Sequence, residues 1–256
     1  MAQAAVVFEN VSKRFPGANY AAVNQVSFSV QEGEFITILG SSGCGKTTLL
    51  KMVNRLYEPD SGTITLFGKG IATQNPVQLR RNIGYVIQQI GLFPHMTIEQ
   101  NVATVPSLLG WDNKKTRERC HQLLELVGLP AAEFSPRFPH QLSGGQQQRA
   151  GLARALATQP PLLLMDEPFG AIDAITRLGL QDELLRLQKQ LGTTILFVTH
   201  DINEAFRLGD RVMVMNEGQI SQFETPKNIL HHPADPFVAR LIASARQQEA
   251  FWEDLA

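Results

Sequence analysis

The stretch Gly40-Ser41-Ser42-Gly43-Cys44-Gly45-Lys46-Thr47 has the spacing of a phosphate-binding loop. It follows the apolar run Phe35–Leu39 and opens a helical stretch, which is the strand–loop–helix context that this motif requires. Glycines let backbone N–H groups curl around phosphate oxygens, and a helix N-terminus adds a favourable dipole. Lys46 would bring its charge to the β- and γ-phosphates, and Thr47 would offer its hydroxyl to magnesium. The alternative is an ordinary glycine-rich turn before a helix.

Downstream, Leu162–Glu167 is an apolar strand that ends in two carboxylates. In phosphate-loop enzymes a carboxylate at this position holds magnesium, and we assign that role to Asp166. Glu167 would then be the general base that polarises the attacking water. The alternative is a helix-capping pair after a core strand.

Between these two stretches lies the segment Leu142-Ser143-Gly144-Gly145-Gln146, called the signature segment below. Ser143 is a good N-cap residue, and the sequence from there to Thr158 is typical of a helix. A second helix N-terminus with bare glycine amides is therefore available to a phosphate. One ATP cannot be assumed to touch both helix ends within one chain. The alternative is an ordinary Ser-capped helix.

Strand-like runs lie on both sides of a helical block, Thr97 to Thr158, in which we expect breaks at Pro106, Gly128–Pro130 and Pro136–Pro139. Strands that alternate with helices imply a parallel sheet covered on both faces, so the block is interpreted as an insertion into an α/β domain. The predicted strands are Val6–Phe8, Val26–Val30, Phe35–Leu39, Thr63–Phe67, Tyr85–Ile87, Leu162–Met165, Thr194–Val198 and Val212–Met215. Two apolar helix faces are predicted, one from Cys120, Leu123, Leu124 and Val127 and one from Leu180, Leu184, Leu187 and Leu191.

The bulk composition restricts the function classes. The chain has 256 residues and a net charge of −1, which suits one large domain and argues against a dedicated nucleic-acid binder. Its two cysteines, Cys44 and Cys120, form no disulfide framework and fit a reducing compartment. We expect no signal peptide in Met1–Asn10 and find no apolar run near the ~18 residues that a membrane helix needs. A soluble, cytoplasmic protein is predicted, with any membrane-spanning parts on other chains.

A phosphate loop, then Leu-Ser-Gly-Gly-Gln, then an Asp-Glu strand resembles the nucleotide-binding subunit of ABC transporters over nearly the whole chain. The resemblance implies a P-loop NTPase (RecA-like) core with an N-terminal antiparallel β subdomain and an inserted α-helical subdomain. The implied boundaries are 1–90 and 159–235 for the core, 91–158 for the helical subdomain and 236–256 for a C-terminal helix. Implied cofactors are ATP and Mg²⁺.

The same resemblance implies partners. Two copies would form a head-to-tail homodimer in which the signature segment of one copy closes over ATP held by the phosphate loop of the other. Integral membrane permease subunits and, indirectly, a solute-binding protein would complete the transporter on the cytoplasmic face of the membrane.

Further site residues follow residue by residue from the resemblance. Gln88 matches the glutamine that links the subdomains and senses magnesium and water, and Asp173 matches a loop that crosses the dimer interface. His200 matches the histidine that contacts the γ-phosphate, and Phe15 matches the aromatic that stacks on adenine, with Tyr20 as a second candidate. By themselves, His200 and Gln88 would be interpreted as structural. The predicted site consists of catalytic Glu167, His200 and Gln88; nucleotide-binding Phe15, Ser41, Gly43, Cys44, Gly45, Lys46, Thr47, Thr48, Ser143, Gly144, Gly145, Gln146 and Asp173; and metal-binding Thr47, Gln88 and Asp166.

Two segments, Ile83–Thr97 and Val105–Trp111, are similar to the subunits that drive uptake of osmoprotectants such as glycine betaine, choline and carnitine. In related importers a groove there receives a short helix from the membrane subunit. Many of these relatives continue into regulatory domains, so we expect that regulation to be absent from a chain ending at Ala256 or to lie beyond it. The predicted groove lining is Ile90, Leu92, Phe93, Pro94 and Met96, unless these residues are subdomain core common to many importers.

Three other hypotheses remain open. The first is the ATPase of a polar amino-acid or other small-solute importer. The second is a soluble ABC ATPase of DNA repair or translation, whose long coiled-coil inserts or paired cassettes are not seen. The third is another phosphate-loop enzyme, such as a kinase or GTPase, which the signature segment and the lack of an Asn-Lys-x-Asp element argue against.

Overall fold

The structure of the chain is a computed structural model that describes residues 4–88 and 91–253, with the backbone alone for 246–253. Ile90, a predicted groove residue, therefore lies outside the described residues. The strands are β1 (Ala4–Lys13), β2 (Val23–Gln31), β3 (Phe35–Gly40), β4 (Ser61–Leu66), β5 (Lys69–Gly70), β6 (Ile83–Val86), β7 (Leu162–Asp166), β8 (Thr194–Val198), β9 (Arg211–Asn216) and β10 (Gln219–Glu224). The helices are α1 (Lys46–Val53), α2 (Pro76–Arg81), α3 (Ile98–Leu108), α4 (Asn113–Leu126), α5 (Ala131–Phe134), α6 (Gly144–Leu156), α7 (Ala174–Leu191), α8 (Ile202–Leu208), α9 (Pro226–His231) and α10 (Pro236–Glu253).

These elements form two compact units, here called the first unit (1–79 with 194–256) and the second unit (80–193). The predicted helical subdomain, 91–158, lies within the second unit. Among the described residues, no helix combines the length and the apolar character needed to cross a membrane.

The first unit contains an antiparallel sheet with the strand order β2-β1-β4-β5, which is the predicted N-terminal β subdomain. In β2, alternate residues such as Val26, Phe28 and Val30 are buried, as expected of a sheet with one solvated face. By contrast, every residue of β3 is buried, and β3 pairs in parallel with both β8 and β9. A continuous apolar run is what a central parallel strand requires, because both of its faces are covered.

Helices α8, α9 and α10 pack on the sheet that contains β3 and β9 through one apolar cluster. Val238 and Ile242 lie four residues apart on α10 and therefore on the same face, and both belong to one buried cluster with Leu39, Val212 and Val214. Within the stretch predicted as a C-terminal helix, the structure has α10 over Pro236–Glu253.

The second unit combines the parallel pair β6 and β7 with α3–α7. The first predicted helix face is confirmed, with Cys120, Leu123, Leu124 and Val127 fully buried. On the second, Leu180, Leu184 and Leu187 are buried, and Leu191 at the end of α7 is half-buried. The predicted break at Pro106 is wrong, since Pro106 lies in the last turn of α3. Proline lacks an N–H group, but its carbonyl still accepts hydrogen bonds from the Leu109 N–H at 3.2 Å and the Trp111 N–H at 3.0 Å, and α3 ends two residues after it.

Burial of Cys120 has a consequence for alkaline stability. Burial, with the nearby Glu99 carboxylate adding to it, raises the pKa of the Cys120 thiol from 9.0 to about 12. Between pH 9 and about 12 the thiol is therefore ionised in the unfolded chain but still neutral in the folded protein. The free energy of unfolding falls as the pH rises through this range. We predict that Cys120→Val, which carries no ionisable group, loses less stability between pH 9 and 11, by up to about 1 kcal/mol per pH unit. Urea denaturation of both proteins at pH 8, 9, 10 and 11 measures this, and parallel stability curves would contradict it.

Candidate active site

The phosphate loop connects buried β3 to α1 in the first unit, as predicted. Gly45 is the N-cap of α1 and has φ 105°, a conformation that L side chains rarely adopt. A Cβ at this position would lie 2.1 Å from the Ala22 carbonyl oxygen. Glycine is therefore required at 45 both by the conformation of the loop and by the close approach of Ala22, which lies just before β2.

Lys46 is the first residue of α1 and is 7% exposed. Its ammonium donates to the carbonyls of Gly40 at 2.7 Å and Ser41 at 2.8 Å, and lies 3.8 Å from the Cys44 sulfur. Burial raises the pKa of the Cys44 thiol, so the thiol is neutral at pH 7 and remains a weak acceptor. A phosphate oxygen can replace it at the third N–H donor of Lys46.

A tight turn between β9 and β10 supports the loop. Glu217 and Gly218 have φ 48° and 78°, as in the primed turns of two-residue hairpins. The Gly218 N–H donates to the Cys44 carbonyl at 3.1 Å, and the Gly218 carbonyl accepts from the Asn24 N–H at 2.8 Å. The sequence reasoning missed this turn, although a Glu-Gly pair between two strand-like runs is a turn signal.

A cleft of about 600 Å³ opens beside the phosphate loop. Of the two aromatic candidates for adenine, Tyr20 lines this cleft and is 68% exposed. Phe15 is half-buried, and its ring packs edge-on against Tyr57 at a centroid distance of 5.1 Å. The cleft is lined by Tyr20, Ala21, Asn24, Ser41, Ser42, Gly43, Cys44 and Glu217.

His200 is exposed and lies two residues after the end of β8. Because β8 is parallel to β3, with Val198 opposite Ile38, His200 and the phosphate loop leave the sheet at the same edge. The Thr199 N–H donates to the Ile38 carbonyl at 3.1 Å and holds this edge together. Ligands of open α/β sheets bind at the carboxyl ends of such strands.

The second unit repeats this arrangement with its own strand pair. Val86 of β6 lies opposite Met165 of β7, so Gln88 and Glu167 follow their strands at matching positions. Their side chains meet, and the Gln88 amide Nε2 donates to Glu167 Oε2 at 3.0 Å. Asp166, the last residue of β7, is 3% exposed.

The backbone of Glu167 is strained, because this non-glycine residue has φ 48°. The left-handed conformation costs roughly 1–2 kcal/mol for such a residue. Strain of this kind persists where the surrounding structure fixes the chain, and it is concentrated at functional sites.

The signature segment begins α6, and Ser143 is its N-cap, as predicted. The Ser143 hydroxyl accepts from the Gln146 N–H at 3.3 Å, while the Gln146 side chain accepts from the Ser143 N–H at 2.9 Å. This capping box leaves Gly144 exposed at the helix start. A Cβ on Gly145 would lie 3.1 Å from the Ala171 carbonyl oxygen, so the loop after β7 contacts the segment closely.

Asp173 is exposed and is the N-cap of α7. Its Oδ1 accepts from the Thr176 N–H at 3.0 Å, and this hydrogen bond lowers the pKa of the Asp173 carboxyl. A structural role as a helix cap therefore exists beside the predicted interface role.

Phe93, one of the predicted groove residues, lines a cavity of about 340 Å³ in the second unit, together with Tyr85, Val105 and Arg154. The segment that carries it is held by Asn101, which is fully buried on α3. Asn101 accepts from the Phe93 N–H at 2.7 Å and donates to the carbonyls of Phe93, Met96 and Thr97. Sequence reasoning missed Asn101, because an isolated Asn in a helical stretch carries no signal of its partners.

A family model described as ABC transporter matches residues 23–170 of the chain. The choline transport ATP-binding protein of Bacillus subtilis (strain 168) is 55% identical over 94% of this chain, which spans 63% of the length of that relative. The glycine betaine uptake system ATP-binding protein of Escherichia coli (strain K12) is 50% identical over 91% of this chain and 75% of its own length. Among solved structures, a dimeric post-hydrolysis state of an ATP-binding cassette bound to ADP and Pi is similar with a TM-score of 0.80 and 34% identity, covering 86% of this chain and 98% of its own.

Two glycines of the phosphate loop provide a matched test of its geometry. Both Gly43 and Gly45 have positive φ, but a Cβ on Gly43 meets nothing within 4 Å. We predict that Gly45→Ala lowers the free energy of unfolding without nucleotide by at least about 2 kcal/mol more than Gly43→Ala, because only position 45 adds a steric clash to the strain. Urea denaturation measures both, and equal losses would contradict the requirement for glycine at 45.

Proposed function

Because the chain belongs to the ABC transporter family, we propose that it is the ATP-hydrolysing subunit of an importer and works as a head-to-tail dimer. The observation that carries the proposal is the hydrogen bond between the Gln88 amide and the Glu167 carboxylate, directly after buried Asp166. A carboxylate held in this way suits a general base that acts on water.

In the proposed binding mode, the phosphates of ATP lie on the backbone N–H groups of the phosphate loop. Lys46 gives up its weak contact with Cys44 for a phosphate oxygen, and the first turn of α1, with Thr47 and Thr48, adds its dipole. Adenine stacks on an aromatic ring, and the exposure of Tyr20 beside the loop supports it as a candidate next to Phe15.

Mg²⁺ prefers oxygen ligands, and the three proposed ligands all offer oxygen: the Thr47 hydroxyl, the Asp166 carboxylate and the Gln88 amide. These donors fit the ion. When bound, Mg²⁺ neutralises charge on the β- and γ-phosphates.

In the proposed reaction, Glu167 accepts a proton from water as the water oxygen bonds to the γ-phosphorus. The bond from that phosphorus to the β–γ bridging oxygen breaks, and ADP and inorganic phosphate are formed. His200, placed at the same sheet edge as the phosphate loop, donates a hydrogen bond to the γ-phosphate.

Each ATP would be closed off by the signature segment of the second copy. The capping box keeps Gly144 exposed at the start of α6, which supports its use by a phosphate from outside the chain. Asp173 would lie at the same interface. A dimer bound to ADP and Pi is known for the similar ATP-binding cassette, which supports the same assembly here.

We predict that Glu167→Gln binds ATP but lowers turnover by at least about 100-fold, because the amide keeps the shape of the side chain and loses its basic oxygen. A stable dimer should then accumulate with ATP and magnesium, measured by light scattering after size exclusion. Glu118→Gln, an exposed substitution on α4, is the control and should behave as wild type. A Glu167→Gln protein that remains monomeric, or that turns over ATP at the wild-type rate, would refute the assignment.

The proposed solute is a quaternary ammonium osmoprotectant, since the choline and glycine betaine systems of the two relatives carry such solutes. The subunit would lie on the cytoplasmic face of the membrane, bound to permease subunits, with a solute-binding protein that selects the solute. The cavity beside Phe93 would receive an amphipathic helix of the permease.

We predict ATP-dependent uptake of labelled glycine betaine or choline by vesicles that carry the reconstituted complex. The same complex with Glu167→Gln should give no uptake, which shows that transport depends on this subunit. Transport of a polar amino acid, without transport of either quaternary amine, would refute the solute and leave the ATPase proposal intact.

A further inference from the structure

Gln148 is a buried polar residue that the proposed reaction does not use. It lies on α6, two residues after the signature segment, and is 5% exposed. Its amide Nε2 donates to the Glu167 carbonyl at 3.3 Å, and its Oε1 accepts from the Ala171 N–H at 2.9 Å. A carbonyl needs a donor and an N–H needs an acceptor, so these partners fix the orientation of the amide.

The loop to which Gln148 is hydrogen-bonded begins with the strained residue Glu167. Two glutamines therefore hold Glu167 from different directions: Gln88 holds the carboxylate, and Gln148 holds the backbone carbonyl. The Gly170 N–H donates to the same carbonyl at 3.3 Å from within the loop. Gln148 thus connects α6 by hydrogen bonds to the strained turn at Glu167, whose backbone determines where the carboxylate lies.

A second contact connects the start of α6 to this loop. Gly145 approaches the Ala171 carbonyl so closely that an added Cβ would lie 3.1 Å from it. A shift of the signature segment must therefore move residues 167–171 or break the two hydrogen bonds of Gln148.

We propose that Gln148 is a positioning residue that makes the orientation of Glu167 depend on the position of the signature segment. The inference rests on the proposed function, in which the signature segment contacts the ATP held by the partner and Glu167 acts on the ATP of its own chain. Gln148 then joins the two composite sites of the dimer through one subunit. When the ATP held by the partner contacts the signature segment, Gln148 orients Glu167 of the same chain towards the ATP that this chain holds.

The first test compares Gln148→Met with Gln147→Met. Met matches the length of Gln but cannot make the two hydrogen bonds, while Gln147 bonds to the Leu142 carbonyl and serves as the control. We expect Gln148→Met to lower kcat at least tenfold, to change the KM for ATP less than threefold and to reduce the Hill coefficient for ATP from near two to near one. Gln147→Met should leave all three values within twofold of wild type. Wild-type kinetics in Gln148→Met, or a wild-type Hill coefficient of one, would overturn the proposal.

Gln148→Glu keeps the acceptor for Ala171 and loses the donor to Glu167, so it tests the link to the base if the Met variant fails to fold. The same loss of kcat is expected, and wild-type activity in this variant would overturn the proposal.

Mixed dimers with a single intact Glu167 separate positioning from a general defect of α6. With Gln148→Met on the chain that carries the intact Glu167, hydrolysis should fall at least tenfold relative to a mixed dimer of wild type and Glu167→Gln. With Gln148→Met on the opposite chain, it should remain within twofold. Equal effects, or the reverse order, would overturn the inference. Failure of Glu167→Gln alone to form a dimer with ATP would instead refute the proposed function.

Discussion

In each compact unit, hydrogen bonding between two parallel strands determines where polar side chains can meet. The register of β3 with β8 brings the phosphate loop and His200 to one sheet edge, and the register of β6 with β7 brings Gln88 to Glu167. Parallel strands are buried on both faces, so charged side chains such as those of Asp166 and Glu167 lie where the strands end. A slip of one residue in either pair would displace one strand end relative to the other and separate these groups.

The backbone at these strand ends adopts conformations that only a dense set of contacts can hold. Gly45 fits beneath the Ala22 carbonyl, the Gly218 turn bonds to the loop at Cys44, and the Glu167 carbonyl accepts two hydrogen bonds. Since a fixed donor loses little freedom when a phosphate arrives, such rigidity favours binding and catalysis together.

Features that depend on a few neighbouring residues were predictable from the sequence. The phosphate loop, the Ser143 cap and the buried face at Cys120 are local patterns, and the structure contains each of them. The contacts of Gln148 and Asn101 were not predictable, because their partners are chosen by packing between elements. Pro106 was misjudged because a proline inside a helical stretch is expected to end the helix before it, whereas α3 continues to Leu108.

The left-handed backbone at Glu167 lowers the stability of the fold, while the proposed reaction requires a carboxylate at this position. Glycine or asparagine would adopt φ 48° at lower cost than glutamate, and neither could serve as the base. Selection for thermal robustness alone would therefore tend to replace the residue that we propose as the general base. Under the proposed role, a glutamate that persists here in an evolving population is retained for the chemistry of its side chain and not for folding.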